Sequence, residues 1–76
     1  MDFIVYGKNV FWAIEVENSP KVRDENLRGL KTFAQDYPQS VPYFLYRGKE
    51  RFFRQGIHCL PIEDFLEEPP QANAGP

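Results

Sequence analysis

The sequence predicts an α+β fold: a small mixed β-sheet with one principal helix, elements in the order β-β-α-β-β-β-α. Three observations carry this reading. β-Branched and aromatic runs of strand length flank Gly7-Lys8-Asn9, the pattern of a β-hairpin. Between residues 24 and 36 the apolar residues change to a helical period. Pro20, Pro38, Pro42 and Pro61 each fall at a boundary between such segments.

The first strand spans residues 2–6 and the second Val10–Val16. In the second, Val10, Trp12, Ile14 and Val16 share one face, and Phe11, Ala13, Glu15 and Glu17 share the other. Both faces are apolar near the turn, as in a strand covered on both sides. Asn18-Ser19-Pro20 ends it. The helix follows over residues 24–36, with Leu27, Leu30, Phe33, Ala34 and Tyr37 on one stripe. Asp24 is positioned as its N-cap and Pro38 as its stop. Gly29 lies inside it at a cost of roughly 1 kcal/mol relative to Ala, which a close approach to the sheet would explain. Residues 41–47 form the next strand, Gly48-Lys49-Glu50 a turn, and residues 51–55 its hairpin partner. Gly56 breaks the chain before a short strand at 57–60, and Pro61 opens a helical turn at 62–66. The strand–helix–strand succession makes Val10–Val16 and the strand at 41–47 parallel.

The composition bounds the rest. Seventy-six residues make one small domain, and a unit of this size buries only roughly 60% of its unfolded surface. Seven Phe, four Tyr and one Trp supply bulk that a disordered acidic chain lacks. The single cysteine, Cys59, excludes an intramolecular disulfide and a cysteine-only zinc site within one chain. The longest apolar runs, FIVY and VFWAI, fall far short of the roughly 18 residues of a membrane span. No secretory pattern opens the chain, so a soluble cytoplasmic domain is expected. The sequence from Glu67 onward, EEPPQANAGP, holds nothing apolar larger than Ala. The folded domain is therefore expected over residues 1–67, with a disordered tail at 68–76.

The most informative constellation is Asp2, Glu15 and Glu17. Glu15 and Glu17 project from one face of the second strand. A two- or four-residue hairpin loop pairs Tyr6 with Phe11 and sets Asp2 opposite Glu15; a three-residue loop turns Asp2 to the other face. With the even loop, three carboxylates converge at the open end of the hairpin, a hard-oxygen site suited to Mg²⁺ or Mn²⁺. The plainer reading, which spacing alone favours, is solvated acids at strand ends.

The linked features D-F-I-V-Y-G, A-I-E-V-x-N-S, L-R-G-L-K-x-F, L-Y-R-G and C-L-P-I-E-D-F-L run in order over residues 2–66. In this order and spacing the chain resembles the C-terminal domain of unknown function of a family of prokaryotic AAA-type ATPases, a domain similar to the restriction-endonuclease-like, PD-(D/E)XK fold. The resemblance implies an Asp at the start of one strand and Glu-x-Lys on the next, facing a divalent metal. Asp2 matches the Asp and Glu15 the Glu, whereas Glu17 stands at the lysine position. A lysine there would offset charge developing on a phosphate; a carboxylate repels phosphate unless a metal intervenes. No G-x-x-x-x-G-K-[ST] phosphate loop is present in the sequence. The resemblance therefore points to part of the family's domain, without the helix and strand that precede the aspartate. Its expected role is non-catalytic, in protein interaction or self-association. The alternative is a divalent-metal-dependent DNA-cleaving or DNA-processing module with Asp2 and Glu15 as ligands and Glu17 as a third ligand or water-orienting group. A homodimer, or a protein partner, covering an exposed sheet edge is the expected assembly.

Arg47, Lys49, Arg51 and Arg54, with Phe52 and Phe53 between them, have the ingredients of a single-strand nucleic-acid site. They read equally, and more simply, as a charged hairpin tip: alternation puts Phe52 and Arg54 on one face and Arg51 and Phe53 on the other, and the net charge is −2. His58 and Cys59 are adjacent in a strand, so they point apart and cannot act as a pair within one chain.

Overall fold

The structure, a computed structural model, describes residues 2–70. It is an α+β domain with a five-stranded mixed sheet in the order β1-β2-β3-β5-β4. The elements are β1 (Phe3–Gly7), β2 (Val10–Val16), a 3₁₀ turn (Asp24–Leu27), α1 (Arg28–Asp36), β3 (Val41–Tyr46), β4 (Phe52–Arg54), β5 (Ile57–Pro61) and α2 (Ile62–Glu67). Of the tail expected at residues 68–76, residues 71–76 lie outside the described residues.

The first hairpin closes on Lys8-Asn9, with Gly7 opposite Val10, Tyr6 opposite Phe11 and Phe3 opposite Ile14. This is the even-loop register. β2 and β3 run parallel, Ala13 beside Pro42 and Glu15 beside Phe44. The helix between them supplies the crossover that two parallel strands need.

The second half of the sheet differs from the expected pairing. The sequence pattern folds the strand at 51–55 back on 41–47 through Gly48-Lys49-Glu50. Instead β4 pairs antiparallel with β5, and β5 lies between β4 and β3, parallel to β3. The cause is local. Gln55 and Gly56 both adopt positive φ, 54° and 80°, which is the type I′ geometry whose twist matches a two-residue hairpin. Gly56 is thus a hairpin turn and not a break. The strand IHCLP, with four of its five residues buried, takes a central place flanked on both edges.

Two apolar clusters sit on the two faces of the sheet. On one face α1 and the 3₁₀ turn bring Leu27 and Leu30 against Ala13, Phe44, Tyr46, Ile57 and Cys59. On the other, Ile62 and Phe65 of α2 pack against Ile14, Tyr43, Leu45 and Leu60, with Trp12 and Val16 at the margin. The strict alternation along β2, β3 and β5 feeds both faces. Phe44, Leu27 and Leu30 are wholly buried.

The helix also begins differently. Residues 24–27 wind as a 3₁₀ turn, so Asp24 lies in the first turn and Arg23 at the cap position, its N–H donated to Asn26 Oδ1 at 3.0 Å. At the far end the Tyr37 N–H still bonds the Phe33 carbonyl (2.8 Å), and Ser40 closes the exit by donating both its N–H and its hydroxyl to the Tyr37 carbonyl. Pro38 prevents the helix from continuing. Gly29 makes no close approach to the sheet. A Cβ there would meet only Glu15 Oε1, at 4.0 Å.

Candidate functional site

The hairpin ladder ends at Phe3 opposite Ile14, and Asp2 lies just before it. What Asp2 does there is specific. Its N–H donates to the Ile14 carbonyl at 3.1 Å, and its Oδ2 accepts the N–H of Val16 at 2.7 Å. The amides of Ala13, Glu15 and Glu17 face β3 in the parallel ladder, as the Glu17 N–H to Leu45 carbonyl bond of 2.9 Å requires. Those of Trp12, Ile14 and Val16 therefore face β1. At Val16 the aspartate side chain supplies the acceptor on that side.

Glu15 is half-buried on the α1 face, with its carboxylate over the second residue of α1, Gly29. A negative charge beside the first turn of a helix is favoured by the helix dipole. Glu17, also half-buried, lies beyond the last residue of β2. Among the described residues no three His, Cys, Asp or Glu side chains gather into a group that could hold a metal ion. Asp2, Glu15 and Glu17 thus do not form the three-carboxylate pocket expected from their spacing. One carboxylate is engaged with the backbone and another reaches toward the helix.

The basic residues are likewise divided. Arg54 turns to the α1 face, where its guanidinium lies 4.9 Å from the Phe52 ring centre, donates to the Val22 carbonyl at 3.1 Å and stands 3.8 Å from Asp24. It ties β4 to the segment that leads into the helix. Arg51 turns to the other face and stands 3.9 Å from Asp64 of α2. Exposed pairs of this length contribute about 0–1 kcal/mol each. Arg47 and Lys49 line a separate groove beside Pro61, Ile62 and Glu63. Four cations close in sequence therefore make no single basic surface.

The sequence reading missed an aromatic-walled cleft of about 450 Å³ on the α2 side, lined by Tyr43, Arg51, Phe53, His58, Glu68 and Pro70 among others. His58 stacks on Tyr43 with ring centres 5.3 Å apart and tilts against Phe53 at 4.8 Å. Burial lowers the His58 pKa from its ordinary value and raises that of Tyr43. The parallel β3–β5 register sets Tyr43 beside His58, and the antiparallel β4–β5 register sets Phe53 on its other side. Neither register can be read without the correct strand order. Cys59, one residue on, faces the opposite side and is buried; burial raises its thiol pKa, and nearby Arg54 opposes that rise.

The remaining exceptional feature is β1 itself. It is an edge strand, and its side chains are exposed on both faces: Phe3 58%, Ile4 48%, Val5 39% and Tyr6 77%. The Tyr6 ring meets that of Phe11 edge-on, with centres 5.0 Å apart.

The family model described as "Domain of unknown function (DUF4143)" matches residues 1–65. The chain belongs to the DUF4143 family. No curated protein and no solved structure matches it. Over the DUF4143 match the structure holds all five strands, α1 and the first turn of α2, so the fold described here is that of the matched region. No helix among the described residues is long and apolar enough to cross a membrane.

Proposed function

We propose that this DUF4143 domain is a non-catalytic self-association module that joins a second copy along β1, and that it descends from the restriction-endonuclease-like domains carried by prokaryotic AAA-type ATPases. The observation that carries the reading is the exposure of four consecutive large apolar residues, Phe3 to Tyr6, on a sheet edge. Natural edges are blunted by lysine, proline, inward charge or a bulge. Residues 3–7 hold none of these residue types and pair one-to-one with residues 10–14 of β2. Loss of chemistry is supported by Glu17 at the lysine position and by the engagement of Asp2 with the Val16 amide.

Sedimentation of the wild-type chain from micromolar to near-millimolar concentration tests this. The expected result is a concentration-dependent dimer that Val5→Lys abolishes and Phe53→Lys, at another exposed aromatic, leaves intact. A compact monomer across the whole range refutes it.

A second reading has one observation in its favour. Asp2 bonds the Ile14 carbonyl, next in the chain to Glu15, so two acids of the kind a divalent-metal-dependent DNA-processing module needs lie at one end of the hairpin. Addition of Mg²⁺ or Mn²⁺ to isotope-labelled protein discriminates the two. Localised NMR shifts at Asp2, Glu15 and Glu17 support the metal reading, and an unchanged spectrum removes it.

A further inference from the structure

The register of the first hairpin fixes how a second copy can add. Gly7 and Val10 close a two-residue loop, so they exchange both backbone hydrogen bonds, and Val5 and Phe3 do the same with Trp12 and Ile14. The N–H and C=O groups of Ile4 and Tyr6 then point away from β2, along the free edge. In an antiparallel ladder between two copies of β1, outward groups must meet outward groups. A two-fold axis between residues is excluded, since it would set the outward Ile4 against the inward Val5. The axis passes through a residue.

On the basis of the self-association reading, we propose that the two copies pair β1 to β1 antiparallel about a two-fold axis at Val5. In this register Ile4 of each copy meets Tyr6 of the other, Val5 meets Val5, and Phe3 meets Gly7. It is the register in which strands Phe3–Gly7 overlap along their whole length. It also brings Asp2, which precedes the strand in each copy, to the end where Lys8 follows it in the other, so the two charged residues that bracket the apolar strand are complementary. An axis at Ile4 puts Asp2 against Tyr6 and leaves Lys8 outside the pairing. An axis at Tyr6 puts Ile4 against Lys8. The product is one continuous ten-stranded sheet, two times five, with both α1 helices on the same face. A single strand pair of roughly 17 Å makes a small interface, which places the dimer in the weak, reversible class.

Cysteine cross-linking reads the register directly. Val5 facing Val5 is a non-hydrogen-bonded pair with Cα atoms about 4.5 Å apart, inside the disulfide range. Mild oxidation of Val5→Cys is expected to give a covalent dimer. Phe3→Cys is expected to give none, because the two Phe3 positions are offset by four residues, roughly 13 Å. The buried native Cys59 serves as the wild-type control. Lys8→Glu replaces both charge pairs with like charges and is expected to weaken the dimer by at least about 2- to 30-fold, the loss of two cross-strand pairs. If Ile4→Cys or Tyr6→Cys cross-links and Val5→Cys does not, the register is wrong while association through β1 stands. If sedimentation shows a dimer that Val5→Lys leaves intact, association through β1 is itself wrong.

Discussion

Replacing Asp2 by alanine separates the two roles open to the residue that opens β1. In the structure its Oδ2 accepts the Val16 N–H at 2.7 Å, 14 residues away in sequence, at the open end of the hairpin. The bond is exposed, so its loss is worth a net contribution and not a full desolvation penalty, about 0.5–1.5 kcal/mol. For a domain of this length 1 kcal/mol moves the melting temperature by about 4–8 °C, which gives an expected fall of about 2–12 °C for Asp2→Ala. Asp2→Asn keeps an acceptor oxygen on a side chain of the same shape and is expected to recover half or more of that loss. Urea titration with an unchanged slope measures the difference, and hydrogen exchange at the Val16 amide localises it. The expected exchange rate rises in Asp2→Ala and stays near wild type in Asp2→Asn. Wild-type stability and unchanged Val16 exchange in Asp2→Ala would refute the argument, because the carboxylate would then be supporting nothing in the fold.

Two glycines are expected to respond with opposite signs, measured by the same denaturation. Gly29→Ala removes a poor helix former from α1 where the new Cβ meets only Glu15 Oε1 at 4.0 Å, so it is expected to stabilise by about 0.5–1 kcal/mol. Gly48→Ala drives its Cβ into the Tyr46 ring, 2.5 Å from Cζ, and that ring is held by burial and by the hydroxyl's bond to the Glu50 carbonyl at 2.7 Å. A loss of about 1–3 kcal/mol is expected there. His58 gives a pH dependence. Its pKa is lowered in the fold by burial, so the unfolded chain takes up the proton first, and stability is expected to fall as pH drops below about 6.5. It is the single histidine, so His58→Gln is expected to flatten unfolding free energy between about pH 5.5 and 7.5.

The parts of the fold legible from sequence are those fixed by neighbours along the chain. The alternation of Val10–Val16, the helical stripe through Leu27 and Leu30, and the tight turn at Lys8-Asn9 are local signals, and they lead to the element order, the hairpin register and the parallel β2–β3 pair. The illegible part is a competition between two turns. Gly48-Lys49-Glu50 reads as a hairpin connection and Gly56 only as a break, because period-2 patterning in the short strand FFR cannot say which neighbour it chooses. The positive φ values at both Gln55 and Gly56 decide it, and once β5 lies beside β3 the Tyr43–His58–Phe53 cleft follows. The carboxylates show the same limit at the scale of a side chain. Spacing puts Asp2 across from Glu15, but it cannot show that the carboxylate of Asp2 turns to the Val16 amide.

That same end effect bears on assembly. A carboxylate that bonds the Val16 amide adds a contact past the last pair of the hairpin, Phe3 with Ile14, and so steadies that end of β1. A frayed edge strand is a poor template, because a partner must then supply the ordering entropy of both strands, roughly 1–2 kcal/mol per residue. A pinned one presents the outward amides of Ile4 and Tyr6 in place before any partner arrives. On the self-association reading, the Asp that resembles a metal ligand has a role that needs no metal: its bond to the Val16 amide steadies the edge that a second copy would meet. By this reasoning Asp2→Ala weakens dimerisation as well as folding, through a strand it leaves chemically unchanged. Asp2→Asn, which restores the rung but removes the charge facing Lys8 of the second copy, recovers stability more fully than it recovers the dimer.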